Sequence, residues 1–327
     1  MTVGGTASLG GGQEVFHNGA FVPAAEVRLG PSLQALQYGT GVFEGIRSYA
    51  DGSGTANLYR AHDHFTRMIA SARILRIAIA QSADELVEIT AELLQRNGHT
   101  GDSYVRPLAY KTALEPGTPF GVRLQGVTSS LSIVTLPMGS YVTKEGIACG
   151  VSSWRRIPDS SLPARAKITG AYANNALAAD EATQAGYDDA IFLNQAGHVA
   201  EATTANVFLV RSGRVITPHP ESDILEGITR DSAISLLRRD KHIEVEQRTV
   251  LRSELCTADE IFLTGTGCEI VPVTALDGRP VGAGAPGPLT KALMIAYDQS
   301  VRGQNSRART WLTRVSALTL MPSRSKS

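Results

Sequence analysis

Cysteine and lysine are scarce in this chain, long apolar runs are missing, and neither sign of charge prevails. The three cysteines, Cys149, Cys256 and Cys268, are odd in number, far apart and never in a CxxC pair. That excludes a disulfide framework and a cysteine-held zinc site, and it fits a reduced, cytoplasmic setting. The seven histidines form no ligand cluster. His62 and His64 stand two apart, which splays them on a helix rather than putting them on one face, so no metal is expected. No stretch reaches the apolar length of a membrane span, and the start Met1-Thr-Val-Gly-Gly5 has no basic or apolar region of a secretory signal. Basic and acidic residues number 31 each, for a formal net charge of zero. Nucleic acid and anionic membranes are therefore poor candidates for the main partner. A hydrophobic fraction of 43% and a charged fraction of 19% are ordinary for a globular protein, and 327 residues suffice for two domains with sizeable cores.

Only six of the basic residues are lysines: Lys111, Lys144, Lys167, Lys241, Lys291 and Lys326. Lys167 stands out by its setting, Ala166-Lys167-Ile168-Thr169-Gly170-Ala171-Tyr172. An extended apolar stretch, Gly146 to Trp154, precedes it, and an alanine-rich helix follows. A lysine at an element boundary among small residues is a candidate reactive amine. Burial favours the neutral form, which can build a Schiff base or move protons. Most lysines are solvated surface groups, so this one needs support from elsewhere in the chain.

The pattern of elements supplies a frame. Val15 to Val22 reads as a hairpin turning at Asn18-Gly19, where both positions tolerate positive φ. Val42 to Tyr49 and Thr55 to Tyr59 read as strands. Phe65, Met68, Ile69, Ala72 and Leu75 have helical spacing. Ser82-Ala-Asp-Glu85 is a capping box for a helix with stripe Leu86, Ile89, Leu93, ending at Gly98. Tyr104 to Tyr110 and Leu131 to Leu136 are strand-like. Beyond them the pattern predicts a helix over Tyr172 to Ala185, then short strands at Ala190–Leu193, His198–Glu201, Ala205–Val210 and Arg214–Thr217. A helix capped by Thr229 runs through Arg239, Ile243–Thr249 and Glu260–Thr264 are strands, and a last helix spans Thr290 to Arg302. Strands in a meander with inserted helices argue for α+β architecture rather than a doubly wound sheet. The expected division is a disordered start (1–13), a small α+β domain (14–139), a loop (140–146), a large α+β domain (147–315) and a tail (316–327).

Gly282-Ala-Gly284-Ala-Pro-Gly287 matches GxGxxG but lacks a proper preceding strand and an acidic residue about 20 positions on, so it reads as a turn rather than a dinucleotide site. Two other segments are better anion candidates. Gly227-Ile228-Thr229-Arg230-Asp231 opens a helix, where N–H groups are free and the dipole favours an anion. Gly265-Thr266-Gly267 follows a buried strand and opens another turn rich in N–H groups. Each alone is commonly simple capping or turn chemistry. With a shielded lysine, the pair suggests a phosphate-bearing cofactor. Glu201, between two apolar strands, is either a solvated turn residue or a buried partner for a cation, such as the ring nitrogen of pyridoxal phosphate.

These segments together resemble the class IV (fold type IV) pyridoxal-phosphate aminotransferases, and within them the branched-chain amino acid aminotransferases. The resemblance runs from about Val15 to Val315. It is carried by Tyr38-Gly-Thr-Gly-Val-Phe-Glu-Gly-Ile-Arg47, Tyr104-Val-Arg-Pro107, Lys167 to Tyr172, Glu201 to Phe208, Leu225 to Asp231 and Phe262 to Gly267. It implies a two-domain fold like that of D-amino acid aminotransferase, a homodimer or larger, and transfer of amino groups between leucine, isoleucine or valine and 2-oxoglutarate. By the same resemblance, Lys167 carries pyridoxal phosphate and then shuttles the proton. Glu201 pairs with the ring nitrogen and Tyr172 with the ring oxygen, while Arg60, Ile228, Thr229 and Thr266 hold the phosphate. Tyr38, Phe43, Tyr104, Arg106 and Tyr141 line the substrate site, and the Thr266 and Gly267 amides take the substrate carboxylate. The chain departs from the family at three places: Met138 replaces an aromatic residue, Gly267 an alanine, and Ile168-Thr169 a pair of small residues. A D-amino acid transaminase, an aminodeoxychorismate lyase and an aminotransferase of specialised biosynthesis stay open as alternatives, and a non-catalytic cofactor binder is the remaining one.

Overall fold

The computed structural model describes residues 13–52, 54–139 and 145–315. Tyr141, residues 1–12 of the expected disordered start, most of the 140–146 loop and the 316–327 tail lie outside the described residues.

The first half comprises β1 (Glu14–His17), β2 (Ala20–Pro23), α1 (Gln34–Tyr38), β3 (Gly41–Phe43), β4 (Ile46–Ala50), β5 (Ala56–Tyr59), α2 (Ala61–Ile74), α3 (Ala83–Arg96), β6 (Ser103–Leu114) and β7 (Val127–Pro137). The second comprises β8 (Ile147–Arg155), α4 (Tyr172–Gln184), β9 (Asp189–Leu193), β10 (Val199–Ala202), β11 (Asn206–Arg211), β12 (Arg214–Pro218), α5 (Ile228–Lys241), β13 (Val245–Arg248), α6 (Arg252–Leu255), β14 (Glu260–Gly265), β15 (Glu269–Leu276), β16 (Arg279–Pro280), α7 (Pro288–Val301) and β17 (Leu312–Val315). The architecture is α+β.

Local chemistry places several of these elements. Asn18 and Gly19 both take positive φ, and His17 pairs directly with Ala20, so β1 and β2 form the expected two-residue hairpin. The Ser82 hydroxyl accepts from the Glu85 amide, and the Glu85 carboxylate accepts from the Ser82 amide, completing the capping box of α3. The expected single strand from Val42 to Tyr49 is instead two strands. The chain breaks at Glu44-Gly45, where the Glu44 side chain turns inward to a buried ion pair.

The first sheet runs β17-β5-β4-β6-β7-β1-β2, with β3 also on β6. Its apolar face, including Ile46, Leu58, Val105 and Ile133, packs against Phe65 and Met68 of α2 and Leu86 and Leu93 of α3. The second sheet runs β10-β9-β8-β15-β14-β11-β12-β13, and β10 also pairs with β11. That extra pairing, Glu201 opposite Asn206, closes six strands into a barrel. Alternation divides the side chains. Val207, Leu209, Ile261, Leu263, Val271 and Val273 share one core. Phe208, Phe262 and Ile270 point the other way, toward α5 and α7. Tyr49 and Tyr59 of the first sheet join that second cluster, so α5 and α7 lie between the two sheets. Leu312–Val315, grouped by sequence with the second unit, returns to pair with β5 in the first sheet.

Candidate active site

Lys167 lies on the crossover from β8 to its parallel neighbour β9, just ahead of α4. The first sheet holds this segment. The Phe43 amide donates to the Lys167 carbonyl at 3.1 Å, Val42 and Ile168 form an antiparallel bridge, and the Gly170 amide donates to the Gly39 carbonyl at 3.2 Å. Gly39 must be glycine, because it takes a positive φ and a Cβ there would stand 2.7 Å from the Gly170 Cα. Thr169 has a use here: its hydroxyl lies 2.9 Å from the Gly39 carbonyl and 3.2 Å from that of Gly41. The Lys167 ammonium donates to the Tyr172 hydroxyl at 2.5 Å.

Glu201 is buried at the barrel seam. One carboxylate oxygen accepts from the Asn206 amide at 3.0 Å and the Leu225 backbone N–H at 3.1 Å. The other meets the Arg156 guanidinium at 2.9 Å. Burial pushes the Glu201 carboxyl above its ordinary range, and Arg156 pulls against that rise. Lys167, Tyr172, Glu201, Ile228, Thr229 and Thr266 line one cavity.

The helix start at this cavity differs from expectation in one respect. Gly227, not Thr229, is the N-cap of α5, and no side chain caps it. Thr229 is the second helical residue. The first N–H groups of α5 are therefore open to the cavity, as an anion site requires. Gly227 has an ordinary φ of −69°. It is glycine for space, since a Cβ would stand 2.1 Å from the Asn206 side-chain oxygen. Thr264, on the same cavity wall, has a buried hydroxyl with no partner. Open N–H groups, an unpartnered hydroxyl, an amine and a buried carboxylate form a donor set for a phosphorylated ring with a basic nitrogen. The rejected GxGxxG segment behaves differently. It leads into α7, and the Glu260 carboxylate already accepts from the Leu289 and Thr290 amides there, leaving that helix start no room for a phosphate.

The substrate-site candidates gather around Phe43 rather than in that cavity. The Lys167 ammonium lies 4.9 Å from the Phe43 ring centroid and the Arg106 guanidinium 4.7 Å from it. The Tyr172 ring meets Phe43 edge-on at 4.6 Å, and Arg106 donates to the Tyr104 hydroxyl at 2.7 Å. Tyr38 ends α1 on the surface, and Gly267 sits in the turn after β14. Neither touches the cavity wall.

Arg60 is not brought to the wall either. Its guanidinium bonds Asp63 and Asp231, each at 2.6 Å, and reaches the Ile228 carbonyl at 3.3 Å, so it backs the start of α5. Arg67, which sequence reasoning missed, does line the cavity. It forms two bonds to the buried Glu44, at 2.6 and 2.8 Å, and a third to the Glu226 carbonyl at 2.8 Å. Arg156, Asn175 and Asn206 were missed as well. The helical spacing of Arg67 to His64 was visible, but its carboxylate partner lies 23 residues away.

Residues 41–276 match the family described as amino-transferase class IV. The chain belongs to the class IV aminotransferases. It is 45% identical over 303 residues to a protein of Aquifex aeolicus named "probable branched-chain-amino-acid aminotransferase", covering 92% of this chain and 96% of that one. A solved branched-chain aminotransferase from Thermoproteus uzoniensis, with norvaline, has a TM-score of 0.88 at 38% identity, covering 94% of this chain and 100% of that one. A branched-chain amino acid aminotransferase from T.th., complexed with N-(5'-phosphopyridoxyl)-L-glutamate, has a TM-score of 0.87 at 38% identity, covering 93% and 99%. This class IV aminotransferase thus shares nearly its whole length with those proteins. Among its described residues, no helix is long and apolar enough to cross a membrane.

Proposed function

We propose that this enzyme uses pyridoxal phosphate to move amino groups between branched-chain L-amino acids and 2-oxoglutarate, in ping-pong fashion. The observation that carries the reading is the single cavity shared by the Lys167 amine, the Glu201 carboxylate and the open start of α5. The names of its relatives support the substrate class, and the phosphopyridoxyl-glutamate complex supports both cofactor and second substrate.

When bound, pyridoxal phosphate supplies a carbonyl carbon for an amine and a ring that withdraws electrons from the substrate α-carbon. Lys167 would hold the cofactor through Nζ, and its amine is placed to move a proton at the substrate α-carbon. Tyr172 orients that amine. Glu201 keeps the ring nitrogen protonated. The α5 N–H groups with Thr229 and Thr266 hold the phosphate, and Arg60 steadies the helix start from behind. The Thr266 and Gly267 amides receive the substrate carboxylate. Phe43, Tyr38 and Tyr104 offer an apolar wall to an aliphatic side chain, and Arg106 offers a fork to the second carboxylate of glutamate.

Residues 14–139 and 147–311 make the two working units in this reading. The enzyme acts as a homodimer or larger, since Leu36 and Tyr38 on α1, and Phe120 and Val122 on the 115–126 loop, expose apolar surface. Three free cysteines fit the cytoplasm. The test is the visible spectrum of the cofactor-loaded protein. Bleaching by leucine, isoleucine or valine, and also by L-glutamate, is expected, and Lys167→Ala should abolish turnover. A response to D-amino acids alone, or turnover that survives Lys167→Ala, would overturn the reading.

A further inference from the structure

Glu201 has two kinds of support. The Asn206 amide and the Leu225 N–H are neutral donors that fix one oxygen in place. Arg156 is a charge on the other oxygen, at 2.9 Å. Arg156 is itself held on three sides. Its backbone N–H donates to the Leu193 carbonyl at 2.9 Å, Nη1 to the Asn175 side-chain oxygen at 3.1 Å, and Nε to the Asp223 carbonyl at 3.3 Å. Both members of the pair are buried, Arg156 at 6% and Glu201 at 5% exposure. A guanidinium so fixed contributes little to the barrel that an apolar side chain could not match.

We propose that Arg156 is a positioning residue for amino transfer: it keeps Glu201 ionised, and Glu201 in turn keeps the proton on the cofactor ring nitrogen. The proposal rests on the pyridoxal phosphate reading above. Position and charge are separable here. Without Arg156, Asn206 and Leu225 would still hold the carboxyl where it is. Burial would then drive it toward the neutral form. The remaining cations that favour its charge, Lys167 and Arg67, do not bond it directly. A neutral Glu201 offers the ring nitrogen a hydroxyl proton instead of an acceptor, and the ring loses its grip on electrons.

The experiment compares wild type with Arg156→Met by titrating apoprotein with pyridoxal phosphate and with its analogue in which ring C–H replaces the nitrogen. The expected result is a loss of about tenfold or more in affinity for pyridoxal phosphate, with the analogue changed less than about twofold, because it has no nitrogen for Glu201 to serve. Equal weakening of both would show a merely structural role and overturn the proposal. A second comparison covers the case in which Arg156→Met does not fold. Arg156→Met combined with Glu201→Gln leaves no buried charge unpaired, and its kcat should match that of Glu201→Gln alone within about twofold. A fall of about tenfold or more below Glu201→Gln alone would also overturn it. Failure of wild type to take up pyridoxal phosphate would refute the cofactor reading itself. Uptake with equal weakening refutes the Arg156 role alone.

Discussion

Gly45→Ala should damage catalysis while leaving the fold nearly intact. Gly45 is buried between β3 and β4 with no left-handed φ, so backbone strain is not at issue. Space is. A Cβ there would lie 2.2 Å from the Tyr104 hydroxyl, 2.9 Å from Cζ and 3.2 Å from Cε2. Ordinary contact needs about 3.4 Å or more, so the ring must retreat by roughly 1 Å. Tyr104 is only half-buried and its partner Arg106 is exposed, so the ring has room to swing outward. The stability cost is then at the low end of overpacking, about 1 kcal/mol. The functional cost is larger. Tyr104, Arg106 and Phe43 form one contact chain leading to Lys167. A displacement of about 1 Å at a substrate-positioning group is worth up to about a hundredfold in rate. Steady-state kcat/KM for leucine, with thermal melting as control, checks this. Adding Tyr104→Phe removes the closest clashing atom and should recover part of the loss. A Gly45→Ala enzyme with kcat/KM within about twofold of wild type would refute the reasoning, as would one that simply fails to fold.

Three other outcomes follow from the geometry. Arg106→Ala should cost about tenfold or more with glutamate and much less with leucine, since only glutamate brings a second carboxylate for the guanidinium. Equal losses in parallel kinetics would count against a pocket serving both side chains. Glu44→Gln should lower stability by about 3 kcal/mol or more, because it strips the counter-charge from Arg67, read by urea unfolding. Burial pushes the Glu44 carboxyl up, but Arg67 and His64 outweigh it and hold it far below the usual carboxylate range. The unfolded chain therefore takes up the proton first. This contribution is complete above about pH 5 and falls steadily on acidification, and Glu44→Gln should flatten that slope. Thr169→Val should lower kcat/KM by about threefold to tenfold with little change in melting, and Thr169→Ser should restore it. An unchanged valine variant would leave the Thr169 hydroxyl without a role in placing Lys167 against the Gly39–Gly41 turn.

Local chemistry made much of this fold legible. The Asn18-Gly19 hairpin and the Ser82–Glu85 capping box depend on residues within a few positions of one another, and both stand as read. Lys167 and Tyr172, five apart, reach each other by the same logic. Legibility failed where the partner was remote. β15 was missed because Pro272 interrupts its pattern and Glu269 enters it at positive φ. Val42 to Tyr49 broke because Glu44 answers to His64 and Arg67 rather than to its own strand. Arg60 carries the right charge in the right segment, yet Asp63 and Asp231 hold it away from the cavity wall.

The chain alone settled which residue types stand beside which: a lone lysine among small residues, a carboxylate between apolar strands, and glycines ahead of two turns. Those choices suffice for an amine, an acid and two anion cradles. What they leave open is which groups meet, and at what charge. Closure of the barrel through Glu201 and Asn206 brings Leu225 and Arg156 onto one carboxylate and aims it into the cavity of Lys167. A buried charge persists only with partners. Those partners come from segments dozens of residues apart, so no local pattern of residues announces them, and folding alone assembles them.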